Sequence, residues 1–64
     1  MTVREAAIRR FLSEGIKFEA AVAIEAARIA PQVGYWASRQ FAVSLGCPVA
    51  LWRIAYLCEM GKPS

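Results

Sequence analysis

The chain has 64 residues, 58% of them apolar and 20% charged, with a net charge of +3, two Cys, no His and no Asp. It is long enough for one domain, read here as residues 1–64, and sits near the lower size limit for folding alone, because so short a chain buries only roughly 60% of its unfolded surface. The apolar fraction excludes a disordered tail, two Cys make a poor disulfide framework, and the missing His and Asp nearly exclude classical metal and triad chemistry.

The first element opens with Thr2 and Glu5, the spacing of a capping box in which hydroxyl and carboxylate each satisfy a free backbone N–H. Val3, Ala7 and Phe11 share one face with Ile8 and Leu12 beside them, while Arg4, Arg9, Arg10, Ser13 and Glu14 take the other. Glu5 precedes Arg9 by four residues, the favourable order for an ion pair. Gly15 suits the left-handed position that ends a helix, so a helix is predicted from about residue 3 to 14.

A second helix is predicted from about Lys17 to Ala30. Phe18, Val22 and Ile29 form an apolar stripe, and Ala20, Ala23 and Ala27 a second stripe of small residues that lets another helix approach closely. Glu25 falls at the margin of the solvated face beside Lys17 and Arg28. Pro31 lacks an N–H and disfavours helical geometry at Ala30, so the helix is expected to stop there.

The third helix is then expected from Pro31, a permitted first-turn residue, to Leu45, stopping at Gly46. At 100° per residue Gly34, Ala37, Phe41 and Leu45 share one face, and Trp36, Arg39 and Val43 the opposite one, with Tyr35 at its edge. The fourth helix is expected from Pro48 to Met60, with Leu51, Ile54 and Cys58 on one face and Val49, Trp52, Tyr56 and Met60 on the other. No segment alternates with period two between turn residues, so no sheet is expected. The predicted fold is all-α: a small single domain of four short helices, a bundle completed by oligomerisation.

The start of the chain has charges spread through it and no uninterrupted apolar core of the kind a secretory signal needs. The most apolar stretch, Phe41 to Cys58, is interrupted by Gly46, Pro48 and Arg53, which argues against a membrane span. Were the fourth helix to start early enough to hold both Cys, eleven residues at 1.5 Å would set them roughly 16 Å apart. A disulfide needs Cα atoms within about 7 Å, so reduced thiols in a cytoplasmic protein are the expectation.

Helices three and four each carry a second apolar stripe, and a four-helix domain of this size has too little interior for both. Either the fourth helix is central and wrapped by the other three, or the second stripes form an interface. Each large side chain left in water forgoes about 1.5–3 kcal/mol, which favours the interface and a homo-oligomer.

Trp36, Arg39 and Tyr35, followed by Trp52, Arg53 and Tyr56, are the residue types richest in binding hot spots. They make a protein-binding face the leading expectation, with a homodimer as the unit and no cofactor, metal or small-molecule substrate. A helix-turn-helix reading is the alternative partner class: Ala30 and Gly34 partly fit its spacing, and Ser38, Arg39 and Gln40 would contact DNA. Pro31 interrupts that window, Phe41 is one residue out of phase, and the basic residues are scattered rather than clustered. A second window, Ala42 to Cys47, would leave Val49 to Cys58 as a recognition helix with almost nothing polar to read a base. A membrane-associated helix pair is a weaker alternative. The carboxylates Glu5, Glu14, Glu19, Glu25 and Glu59 read as mostly solvated. Without His only Lys17 or Lys62 could serve as a base, and no Gly-rich phosphate loop occurs, so no enzyme is expected.

Overall fold

A computed structural model describes residues 2–62 and contains four α-helices: α1 Val3–Glu14, α2 Phe18–Val33, α3 Tyr35–Ser44 and α4 Val49–Met60. No strand occurs among the described residues. The start of α1 is the capping box: the Thr2 hydroxyl accepts from the Glu5 N–H at 3.1 Å, and the Glu5 carboxylate accepts from the Thr2 N–H at 3.3 Å. Glu5 therefore turns back toward Thr2 rather than pairing with Arg9. At the other end Gly15, at φ 68°, donates its N–H to the Phe11 carbonyl.

The break between α2 and α3 lies at Gly34, not at Pro31. Pro31 is inside α2, and the helix continues for two further residues. The proline stands exposed in the last turn, where its missing N–H deprives only the Ala27 carbonyl of a helical partner, while Ala30 before it is held in the buried face. Gly34 adopts φ 94° and ψ 162°, a region open essentially to glycine alone, and α3 starts at the next residue. The third helix therefore begins at Tyr35, four residues later than its proline suggests.

α3 ends in a Schellman arrangement. The Cys47 N–H reaches the Ala42 carbonyl at 2.9 Å and the Gly46 N–H the Val43 carbonyl at 3.0 Å, with Gly46 at φ 88°. Cys47 consequently sits in the α3–α4 turn, not on α4, and only Cys58 is helical. Both thiols are free. Pro48 caps α4, accepting at its carbonyl from the N–H groups of Leu51 and Trp52.

α2, not α4, is the central helix; α1, α3 and α4 each pack against it. The reason is the size of its side chains. Ala21, Ala23, Ala26, Ala27 and Ala30 are buried together with Val22, so α2 offers three neighbours a close approach around most of its circumference. The core is thus mostly alanine, and Trp52 of α4, with 0% exposure, is its one large filler. The Cα radius of gyration is 10.5 Å, against about 11 Å for a compact single domain of this length. Among the described residues no helix is long and apolar enough to cross a membrane.

Candidate protein-docking face

Ser38 and Ala42 are the residues of α3 that turn inward, and both are fully buried. Their small size sets α3 close against α2 and fixes its rotation. The Ser38 hydroxyl donates to the Ala26 carbonyl at 2.6 Å and accepts from Trp52 Nε1 at 2.9 Å. One serine so ties α2, α3 and α4 together. No buried side-chain polar atom among the described residues lacks a partner.

With that rotation fixed, Tyr35 faces α4 and Trp36 faces outward. The Tyr35 ring meets Trp52 at 4.9 Å, Tyr56 at 5.2 Å and Trp36 at 5.3 Å between centroids, each nearly perpendicular. Trp52 and Tyr56, one turn apart on α4, stack at 5.1 Å and 26°. Aromatic pairs in such geometries contribute about 0.5–1.5 kcal/mol each beyond the area they bury. The four rings form a chain from the fully buried Trp52, through half-buried Tyr35 and Tyr56, to Trp36, which is 68% exposed. Arg39, one turn on, lays its guanidinium 5.1 Å from the Trp36 ring centroid, a contact contributing about 0.5–1 kcal/mol at an exposed site. Val43 continues the same face.

The sequence-predicted residues therefore separate. Tyr35, Trp36, Trp52 and Tyr56 come together with Arg39 as one cluster. Trp52 has no surface and cannot touch a partner; it supports the others from below. Arg53 is exposed on α4 and makes no ion pair or cation–π contact among the described residues. Of the three residues assigned to DNA, Ser38 is buried and committed to internal hydrogen bonds, which leaves Arg39, half-buried against Trp36, and exposed Gln40.

Two features escape a reading of the sequence. Glu25 is buried, not solvated. Its Oε1 accepts from Arg10 Nε at 2.7 Å and from Arg28 Nη1 at 3.4 Å, while Arg10 Nη1 reaches Glu14 at 2.6 Å. The Glu25 bond raises the Arg10 pKa above its usual value. The available signal is that Val22, Glu25, Ala26 and Ile29 share a face; the partner fifteen residues away leaves no local trace. The second feature is the membership of the second apolar stripe expected on α4: the outward residues are Ile54, Leu57 and Met60, 61%, 62% and 59% exposed. Leu51 and Ile54, expected on one face, are divided by the surface, with Leu51 packed against the core.

Among the described residues no three of His, Cys, Asp or Glu come together as a metal-holding group. Burial of Cys47 raises its thiol pKa, holding it neutral at pH 7. The chain matches no protein-family model, no curated protein and no solved structure.

Proposed function

We propose that this protein acts by binding another protein through the α3 face of Trp36, Arg39 and Val43, as a homodimer paired through the outward stripe of α4, with no chemistry of its own. One observation carries the reading: Trp36 leaves two thirds of its surface in water, yet is held by the perpendicular Tyr35 ring and, over its face, by Arg39. An exposed indole fixed in advance loses little conformational freedom on docking, and a Trp–Arg pair is the composition of a hot spot. Gln40 and Tyr35 flank it. The dimer rests on Ile54, Leu57 and Met60, since a domain of this size can ill forgo their burial.

The test is a photoreactive residue in place of Gln40, which is exposed beside this face. Irradiation in an extract of native cells is expected to give a protein adduct that disappears when Trp36→Ala is added and changes little with salt. A nucleic-acid adduct, or one indifferent to Trp36, would refute the proposal.

A further inference from the structure

Away from Trp36, a groove of about 920 Å³ runs between α1, the second half of α2 and the end of α3. Its volume lies at the upper end of small-ligand sites, which reach about 1,000 Å³, and it is a groove open to solvent rather than an enclosed cavity, as suits a length of chain. Four guanidinium groups line it, from Arg4, Arg9, Arg10 and Arg28, against two carboxylates, Glu14 and Glu25. Both carboxylates are already engaged by Arg10 and Arg28. Arg4 and Arg9 are exposed and make no ion pair among the described residues, so the excess positive charge lies on the α1 rim. The opposite wall is mostly apolar: Val33 and Phe41, each 42% exposed, stand beside Ile29 and Leu45, with Gln32 and Ser44 as its polar members.

A groove with one cationic rim and one apolar wall matches a ligand that is anionic on one side and apolar on the other. A phosphate backbone would satisfy Arg4 and Arg9 but leave Val33 and Phe41 wet. A helix with Glu or Asp along one face and Leu or Phe along the next satisfies both. We infer that this groove docks an acidic amphipathic helix of a partner protein, with its carboxylates toward Arg4 and Arg9 and its apolar side chains against Val33 and Phe41. This surface is separate from the Trp36 face and docks its helix whether or not Trp36 engages a partner.

The test adds three probes to the full-length chain and follows its backbone amide NMR signals. They are a synthetic helical peptide with Leu on one face and Glu on the next, the same peptide with Lys for every Glu, and a short DNA duplex. The Glu peptide is expected to shift signals of α1, Val33 and Phe41, and to bind about 10-fold more weakly to the Arg4→Glu/Arg9→Glu variant, given two lost and reversed exposed contacts. Those arginines hold no internal partner, so the variant keeps its spectrum; the milder Arg4→Gln/Arg9→Gln pair gives the same order of effect at smaller size. Equal binding of the Glu and Lys peptides would overturn the inference. So would binding of neither, shifts centred on Trp36, or a stronger response of the same groove signals to the DNA duplex.

Discussion

Trp36 and Trp52 are the same residue type in opposite circumstances, and substitution separates them. Trp52→Ala empties the largest buried site of the core and removes the indole donor to the Ser38 hydroxyl, which keeps its own bond to the Ala26 carbonyl. A loss of roughly 3–5 kcal/mol is expected, enough to unfold a domain this small, and circular dichroism reads it directly. Ser38→Ala leaves the buried Trp52 N–H without an acceptor, at a cost of about 1–3 kcal/mol. A Ser38→Ala melting temperature equal to that of the unaltered chain would show that the Ala26–Ser38–Trp52 tie contributes nothing. The two cysteines differ in the same way. A thiol reagent is expected to label exposed Cys58 in the folded chain, and Cys47, buried and with its pKa raised, only after unfolding. The aromatic residues at 35, 36, 52 and 56 stand out from the chain alone. Which of the two tryptophans is core is not legible there, because that depends on how α3 is rotated, and two small residues, Ser38 and Ala42, set the rotation.

At the scale of the helix, ends are where local chemistry decides and where the sequence reads best. Thr2, Gly15 and Gly46 each do what their spacing predicts, and Glu5 takes the capping role rather than the pair with Arg9. Hydrogen bonds from Thr2 lower the Glu5 pKa from 4.5. A folded-state value below the unfolded one means that the contribution is complete above about pH 4.5 and is lost as pH falls through the folded value. Thr2→Ala is therefore expected to lower the melting temperature at pH 7 and to do so less at pH 3; an equal effect at both would contradict the capping role. The α2–α3 junction reads worst. Pro31 outranks Gly34 as a local signal, yet the alanine face of α2 is held by three neighbours and carries the helix past the proline. Gly34→Ala meets no steric neighbour within 4 Å, so its cost is backbone strain alone, about 1–3 kcal/mol. Thermal unfolding of that variant beside Pro31→Ala, which imposes no such strain, identifies which residue makes the bend: a larger loss at Pro31 would reverse the assignment.

Across the whole molecule, the alanine-rich core is thin, and apart from Trp52 many of the large apolar side chains lie at its surface. α2 became central because it is the narrowest helix, a property visible in its composition but decided by packing between distant segments. The same distance hid the Arg10–Glu25 pair. The stripe of Ile54, Leu57 and Met60 predicts a particle of two chains, each of 7.1 kDa, in sedimentation at micromolar concentration. Leu57 is exposed within one chain, so Leu57→Glu is expected to keep the helical spectrum and sediment as one chain. A single-chain particle before substitution would remove the dimer and leave the Trp36 face unaffected. The central claim, that Trp36 is a surface anchor fixed by its neighbours, is tested most directly by Trp36→Ala with melting temperature and partner retention measured on the same sample. The variant is expected to stay folded, melting about 4–8 °C lower for a loss near 1 kcal/mol, and to release its partner. A variant that unfolds, or one that stays folded and keeps its partner, would contradict the account.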